Sequence, residues 1–322
     1  MVNLDNYKSL LLDYLAQKLV NKEPRNLYEP INYILNLGGK RLRPIMVLMA
    51  CDLLDGNKKE ALDAALAIEM FHNFSLIHDD IMDKAPIRRG KPTVHKKWNI
   101  NIGILSGDAM LVLANTLFNS YKGSTYKDLQ LLFNKTAIEV CEGQQYDMDF
   151  EKQEIVSLES YIKMITYKTA VLVAASLKMG AIIAKTDKNN AENIYNFGLN
   201  LGIAFQLQDD YLDVYASADF GKQQAGDIIE NKKTFLYLKT LEIASEYDKN
   251  LLLGLYKDSI NPLKKVTTVK KLYAKYLIKD LVKKEIELYT QKSLTNLNNL
   301  TIKDKKKKIL KEFSNYLMNR TI

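Results

Sequence analysis

Residues 62–83, LDAALAIEMFHNFSLIHDDIMD, decide the fold class of this chain. The apolar side chains step by four, four, four, three and four residues, at Leu62, Leu66, Met70, Phe74, Ile77 and Ile81. That spacing follows the period of an α-helix and excludes the strict alternation of a half-buried strand. Similar spacing recurs to the end of the chain, and alternating Val/Ile/Thr segments bounded by turn residues are missing. The sequence therefore predicts an all-α protein of ten or more helices.

Composition supports one large globular unit. The 322 residues are 47% hydrophobic and 26% charged, with 14 Gly, 6 Pro and 2 Cys. This excludes a disordered tail, a collagen-like fibre and a small disulfide scaffold. Five of the six prolines precede residue 93, and no Ser/Gly/Pro-rich linker divides the chain. We therefore predict a single domain over residues 1–322, a large helical bundle.

The cysteines and the N-terminus indicate a compartment. Cys51 and Cys141 lie in apolar runs, which favours buried thiols over a disulfide or a metal site. Asp5 and Asp13 interrupt the region where a signal peptide needs an apolar core, and no run approaches the roughly 18 apolar residues of a membrane span. The prediction is a cytoplasmic protein, neither exported nor stably inserted in a membrane.

Positive charge is concentrated at the C-terminus. Residues 303–320 hold seven Lys or Arg against Asp304 and Glu312, and so contribute +5 of the net charge of +8. A solvated helix face explains such a run better than a binding surface for anionic membranes or nucleic acid. We predict no nucleic-acid partner.

An acidic pentapeptide occurs twice. DDIMD at 79–83 returns as DDYLD at 209–213, each time after an apolar helical run, and two copies are rarely expected by chance in a chain with 22 Asp. The first and last aspartates of each copy share one helix face. Carboxylates packed together repel unless cations neutralise them, and hard oxygen ligands favour Mg²⁺ completed by substrate phosphates. The alternative is a pair of solvent-exposed acidic helix ends.

Three basic segments accompany the acids. Residues 38–44, GGKRLRP, combine two glycines with a proline that suits the first turn of a phosphate-binding helix. Residues 88–92, RRGKP, place adjacent arginines in a proline-bracketed loop, where each can fork onto a different phosphate. Residues 221–234 add three lysines and two glycines after the second acidic copy. Each segment alone could be a solvated loop, and only their positions beside the acids favour phosphate binding.

Together these motifs resemble those of the trans-isoprenyl diphosphate synthases, or polyprenyl synthetases, of the short-chain type that includes geranylgeranyl and farnesyl diphosphate synthases. The resemblance covers about residues 35–240. It rests on Gly39-Lys40-Arg41-x-Arg43-Pro44, the two DDxxD copies, Arg88-Arg89-Gly90, Lys168-Thr169, residues 198–213 and Gly221-Lys222 through Lys232. The resemblance implies an all-α bundle around a central active-site cavity. It also implies Mg²⁺-assisted ionisation of an allylic diphosphate (dimethylallyl, geranyl or farnesyl), followed by head-to-tail addition of isopentenyl diphosphate.

The same resemblance assigns roles to residues of this chain. Isopentenyl diphosphate would be held by Lys40, Arg43, His72 and Arg89. The allylic diphosphate would face Arg88, Lys168, Thr169, Gln206, Lys222 and Lys232. The catalytic set would be Asp79, Asp80, Asp83, Asp209, Asp210, Asp213 and Lys168, with Asp79, Asp83 and Asp209 as the leading Mg²⁺ ligands. Asn231 departs from the family pattern, in which many members have Gly before the last lysine.

Product length and assembly are also implied by the resemblance. A bulky residue shortly before the first acidic copy limits chain growth in similar enzymes, which points to Phe74 and Ser75 and to a C15–C20 product, with C20 slightly favoured. A homodimer is expected. Two alternatives stay open: a terpene cyclase, which would not need the second diphosphate site, and a non-catalytic isoprenoid-binding subunit, which should have lost acidic or basic residues.

Overall fold

The structure, a computed structural model, describes residues 4–19, 21–216, 225–257 and 261–318. It is 81% helical, which confirms the predicted all-α class. The helices are α1 (Leu4–Lys18), α2 (Arg25–Asn36), α3 (Leu42–Leu53), α4 (Leu62–Met82), α5 (Val94–Lys97), α6 (Ile100–Thr116), α7 (Gly123–Lys152), α8 (Leu158–Ile165), α9 (Val171–Ile183), α10 (Lys188–Tyr215), α11 (Gly226–Ile229), α12 (Phe235–Ile243), α13 (Glu246–Lys257), α14 (Pro262–Lys275), α15 (Ile278–Asn298) and α16 (Asp304–Met318). Two strands of two residues each, β1 (Ile87–Arg88) and β2 (Lys91–Pro92), pair antiparallel.

The chain divides into two compact units, residues 1–135 with 175–195 and residues 136–174 with 196–322. The predicted single domain over 1–322 stays a prediction.

In the first unit, α4 is the central helix. It packs against α3 and α6 and buries residues on every side, among them Ala64, Ala67 and Ile68 at 0% exposure. A helix that is apolar all round belongs in a core, and its alanines let neighbouring helices approach closely. This burial fixes the axis of α4, and therefore the position of the acidic turn at its C-terminal end.

In the second unit, the core includes residues of α7, α8 and α10 through α15. Leu207, Leu236, Val269 and Val282 are each 0% exposed within it. The C-terminal helices, where the sequence motifs run out, thus supply much of the apolar support for α10. A π-helical turn, Thr166–Ala170, joins α8 to α9.

Two helical segments are long and apolar enough to cross a membrane by length and composition. They are Ile100–Ser120, with a mean hydropathy of 1.4, and Leu158–Ile183, with a mean hydropathy of 1.2. In the most apolar stretch of each, 28% of the first and 67% of the second is buried. Asp108 interrupts the first segment, and charged residues that include Lys163 and Lys168 interrupt the second, so neither is an unbroken run of apolar residues. The absence of stable membrane insertion stays a prediction. Burial identifies the second as a core helix, whereas the first keeps an exposed apolar face.

The two cysteines differ in burial. Cys51 on α3 is buried, as predicted, and burial raises the pKa of its thiol to about 12. Cys141 on α7 is exposed, so the prediction of a buried thiol is wrong there. Its apolar neighbour Ile138 is also 60% exposed, which shows that the apolar run continues onto the surface. Both thiols are free.

Candidate active site

The first acidic copy lies at the C-terminal end of α4. Asp79 and Asp80 are in its last turn and Asp83 is the C-cap residue. Asp79 is half-buried, Asp80 is 1% exposed and Asp83 is exposed. Three carboxylates at the negative end of a helix dipole are electrostatically unfavourable without cations nearby.

One such cation is Arg88. Its Nε lies 2.9 and 2.8 Å from the two carboxylate oxygens of Asp80, and its Nη2 donates to Oδ1 at 2.7 Å. This forked contact fixes the plane of the guanidinium. Asp80 therefore orients Arg88, a function that the spacing of the acidic copy does not reveal.

The hairpin β1–β2 brings a second arginine to the glycine loop, the segment Gly38-Gly39-Lys40 before α3. Arg89 and Gly90, its two turn residues, both have positive φ, which suits the twist of a tight hairpin. The Arg89 guanidinium donates to the carbonyl of Gly38 and lies against Gly39. Lys40 follows and is exposed. Two of the predicted basic segments are thus brought together in the first unit.

The two arginines after Lys40 point to different environments. Arg41 is buried, where it pairs with Glu69 and donates to the carbonyl of Leu35. Arg43 places Nη1 3.3 Å from Nε2 of His72. Only Arg43 therefore joins the predicted site, whereas Arg41 ties the glycine loop to the core.

His72 is kept neutral by its surroundings. Burial and the positive charges of Arg43, Arg89, Arg88 and Arg41 hold the pKa of its imidazole well below the usual range. A neutral ring nitrogen can accept a hydrogen bond from a guanidinium, which the charged form could not. His72 is thus suited to orient Arg43.

The predicted chain-length residues lie one turn before the acids. Phe74 is 8% exposed, with its ring centroid 5.6 Å from that of Phe71 and 4.8 Å from that of His78. Ser75 is half-buried and donates to the carbonyl of His72 at 2.9 Å. Phe74 is therefore part of an aromatic cluster of the first unit.

In the second unit, α10 carries the other acidic copy. Asp209 is half-buried, whereas Asp210 is 5% exposed and accepts hydrogen bonds from the Tyr161 hydroxyl and from Nε2 of Gln206 at 3.2 Å. Burial raises the pKa of Asp210 to about 7, against the opposing effect of these donors. As in the first copy, the middle aspartate is the buried one.

Asp213 anchors the segment that carries Lys232. Its carboxylate oxygens accept from the backbone N–H groups of Gly226 at 3.2 Å and Asp227 at 3.1 Å. Burial, together with the neighbouring Asp210, Asp213 and Glu230, raises the pKa of Asp227 to about 8. An additional acid is thus placed beside the second copy.

The π-helical turn presents Lys168 and Thr169 to two different helices. Lys168 Nζ lies 2.6 Å from Oδ2 of Asp147 on α7, and the Thr169 hydroxyl donates to Oε1 of Gln206 on α10 at 3.1 Å. Asp147 lies four residues after Gly143, and Gln206 lies four residues after Gly202. A Cβ on Gly143 would lie 2.2 Å from the Lys168 nitrogen, and one on Gly202 would lie 2.7 Å from Cα of Ala170. Both glycines therefore permit the close approach of the turn.

Of the two lysines predicted in the last basic segment, one can be placed. Lys232 donates through its backbone N–H to the carbonyl of Asp227 at 2.9 Å, and its Nζ lies 2.9 Å from Oε1 of Glu151. Lys222 lies in 217–224, outside the described residues.

Comparison with known proteins identifies the family. The model of the polyprenyl synthetase family matches residues 24–276. The chain belongs to the polyprenyl synthetase family. It is a prenyltransferase of the short-chain trans-isoprenyl diphosphate synthase type.

Three similar proteins cover most of this synthetase. The geranylgeranyl diphosphate synthase of Saccharolobus solfataricus is 35% identical over 96% of this chain and 95% of its own. The geranylfarnesyl diphosphate synthase of Natronomonas pharaonis is 36% identical over 72% and 73%. A crystal structure of a geranylgeranyl pyrophosphate synthase is 46% identical and covers 100% of both chains with a TM-score of 0.95. Relatives at similar identity thus carry different product names.

The donor set of the synthetase fits magnesium. Prenyl synthases of the family are generally Mg²⁺-dependent. In the parts of the chain that the structure describes, no three His, Cys, Asp or Glu side chains form a ready-made metal cage. Mg²⁺ is usually held by one or two carboxylates and completed by water and substrate phosphates. Asp79, in the last turn of α4, and Asp83, its C-cap residue, have the four-residue spacing that suits such a pair.

Three acidic or phenolic residues of the synthetase were missed by the sequence analysis. Asp147 pairs with Lys168, Tyr161 donates to Asp210, and Asp227 lies beside Asp213. None is part of a repeated motif. Asp147 and Tyr161 meet their partners only through helix packing, for which spacing along the chain holds no signal.

Proposed function

We propose that this synthetase condenses isopentenyl diphosphate head-to-tail with an allylic diphosphate to give an all-trans prenyl diphosphate. The observation that carries the proposal is the basic assembly at the acidic end of α4, where Arg88 is forked onto Asp80 and Arg89 is seated on the glycine loop. Cations held in fixed positions beside carboxylates suit the binding of diphosphate and metal together.

The residues divide between the two substrates. Lys40, Arg43 and Arg89, with His72 behind Arg43, would hold isopentenyl diphosphate. The allylic diphosphate would be held by Arg88, Lys168, Thr169, Gln206, Lys222 and Lys232. Preorganised Lys and Arg donors stabilise the charge that grows on the leaving diphosphate. The apolar residues around each acidic copy would keep water from the allylic cation, which would otherwise be captured as an alcohol.

Asp79, Asp83 and Asp209 would be the leading ligands of Mg²⁺. When bound, the metal would supply Lewis-acid stabilisation of the leaving diphosphate. The other three aspartates would not bind the metal directly, since each already accepts hydrogen bonds from protein groups. They are Asp80, Asp210 and Asp213.

We further propose a C15–C20 product, with C20 slightly favoured, in which Phe74 and Ser75 set the limit of chain growth. The geranylgeranyl names of relatives support this range. Another relative of similar identity is named for the longer geranylfarnesyl product, which supports a product length near the upper end of the range. We also propose a cytoplasmic homodimer without a nucleic-acid partner. The exposed apolar residues of α6, Leu105 at 59% and Val112 at 62%, supply an apolar surface for a second copy.

The test is incubation of the purified full chain with isopentenyl diphosphate, Mg²⁺ and each of dimethylallyl, geranyl and farnesyl diphosphate, followed by sizing of the products. We expect C20 prenyl diphosphate as the main product, and a loss of about 10³-fold or more in turnover for Asp79→Ala. Hydrocarbon or alcohol formed from an allylic diphosphate without isopentenyl diphosphate would identify a terpene cyclase. Binding of prenyl diphosphates without turnover would identify a non-catalytic subunit.

A further inference from the structure

Lys265 on α14 is a buried lysine outside the sequence motifs. It is 5% exposed, and its ammonium lies 4.5 Å from the centroid of the Tyr256 ring. Its Nζ donates to Oδ1 of Asn231 and lies 3.5 Å from the carbonyl oxygen of Ile229. Burial lowers the pKa of Lys265. A lysine is seldom buried unless its charge is compensated, and here the compensation comes from neutral oxygens and an aromatic face.

Asn231 has a backbone conformation that few residues adopt. Its φ is +61°, in the left-handed region that Gly and, after it, Asn accept most readily. A glycine would meet the backbone requirement and offer no side chain, whereas Asn meets it and also provides the oxygen that Lys265 binds.

The segment that contains Asn231 is fixed on both sides. Before it, the carboxylate of Asp213 accepts the N–H groups that begin α11. After it, Nζ of Lys233 donates to the carbonyl of Phe150 at 2.7 Å. The Lys265 contact lies between these anchors and one residue before Lys232, whose Nζ lies 2.9 Å from Glu151.

We propose that Lys265 is a positioning residue, which holds Asn231 and thereby orients Lys232 toward the allylic diphosphate. The inference rests on the proposed function for the role of Lys232. It gives the C-terminal third of this chain a share in the site, through the hydrogen bond from the Lys265 ammonium to the Asn231 side-chain oxygen.

The experiment is a double-mutant cycle of Lys265→Met and Asn231→Gly in the full chain, with steady-state kinetics for both substrates. In the chain that keeps Asn231, Lys265→Met should raise KM for the allylic diphosphate by roughly tenfold, the size of one charged hydrogen bond. In the Asn231→Gly variant the same change should raise it by less than about threefold, because no amide oxygen is left unpaired. KM for isopentenyl diphosphate should not change, since its proposed ligands lie in the first unit.

Two further variants separate positioning from packing. Lys265→Arg, which keeps a charged donor, should restore most of the affinity for the allylic diphosphate. Lys264→Met, one residue earlier and exposed, should behave like the unmodified protein in kinetics and in thermal unfolding. Equal effects of Lys265→Met with and without the Asn231 side chain, or equal changes in both KM values, would overturn the proposal.

Failure of the proposed function can be distinguished from failure of the inference about Lys265. If the unmodified chain makes no prenyl diphosphate, the function is wrong, and the cycle is then read by thermal unfolding alone. A larger drop in melting temperature on Lys265→Met in the chain that keeps Asn231 than in the Asn231→Gly variant would still establish the contact. Additive shifts would show that the two residues are not coupled.

Discussion

Asp80 and Asp83 belong to one acidic copy and have opposite surroundings. Asp80 is forked onto Arg88, whose side chain is 27% exposed, and Asp83 is an exposed cap residue. Asp80→Asn should therefore lower the free energy of unfolding by about 2 kcal/mol, less than for a fully buried pair because water still reaches Arg88. Asp83→Asn should change it by less than about 0.5 kcal/mol. Denaturant titration measures both.

Turnover should order the two variants differently from stability: Asp83→Asn, the more stable variant, should lose more activity than Asp80→Asn. If Asp83 is a metal ligand, Asp83→Asn loses activity at unchanged stability. A destabilised Asp83→Asn, or an Asp80→Asn as stable as the unmodified protein, would contradict the roles assigned from burial.

His72 predicts a pH dependence of stability. Because the fold lowers the pKa of its imidazole, the folded state keeps it neutral while the unfolded chain takes up a proton below about pH 6.5. The contribution of His72 is therefore complete above that pH and is lost as pH falls. Between pH 7.5 and 5.5 the melting temperature of His72→Gln should fall less than that of the unmodified protein.

The control for this measurement is His95→Gln. Burial also lowers the pKa of His95, so His95→Gln should also reduce the fall of the melting temperature with pH. The reduction should be smaller than for His72→Gln, because His95 has far fewer cations around it. Equal slopes for the unmodified protein and His72→Gln would show that the imidazole is not held neutral.

Phe74 can be tested against its neighbour Phe71, which is 1% exposed and belongs to the same aromatic cluster. Both Phe→Leu changes should cost roughly 1–2 kcal/mol of stability through lost packing. Only Phe74→Leu should lengthen the product, as sized by chromatography, if that side chain limits chain growth. Identical products from both variants would make Phe74 a packing residue.

At the scale of elements, the π-helical turn depends on the two glycines beside it. Gly143→Ala and Gly202→Ala place a methyl group against backbone atoms that cannot move independently. We expect each to destabilise the protein by about 2–3 kcal/mol and to lower kcat, since Lys168 and Thr169 move with the turn.

Gly254 on α13 is the matched control. A Cβ there meets nothing within 4 Å, so Gly254→Ala should stabilise the protein by about 0.5–1 kcal/mol through helix propensity. Opposite signs for the same substitution, measured by thermal unfolding, would confirm that close approach decides the outcome. A stabilised Gly143→Ala would refute it.

At the scale of the whole molecule, the proposed dimer depends on the exposed apolar face of α6. Leu105→Glu should convert a dimer into a monomer in analytical ultracentrifugation, because a charge buried against a second copy has no partner. The control is Leu263→Glu on α14, 80% exposed, which should leave the assembly unchanged. A dimer that survives Leu105→Glu would place the contact elsewhere.

The helical class and the helical position of the acidic copies could be predicted from the sequence, because both depend on local periodicity. It could not separate Arg41 from Arg43, two residues apart in one motif, since only packing against Glu69 or His72 distinguishes them. The pairing of Asp147 with Lys168 likewise depends on how α7 meets the π-helical turn. Periodicity specifies which face of a helix is apolar, and the neighbour that this face meets is decided by the complete fold.

The last turn of α4 holds Asp79 and Asp80, and the last turn of α10 holds Asp213, with no basic residue in either turn. A chain selected for thermal tolerance alone would carry lysines there, because the carbonyl end of a helix already bears partial negative charge. The carboxylates add to the negative end of each helix dipole, and a cation bound beside them would relieve that repulsion. Divalent ions should on this account slow amide hydrogen exchange in the final turns of both helices before any substrate is added.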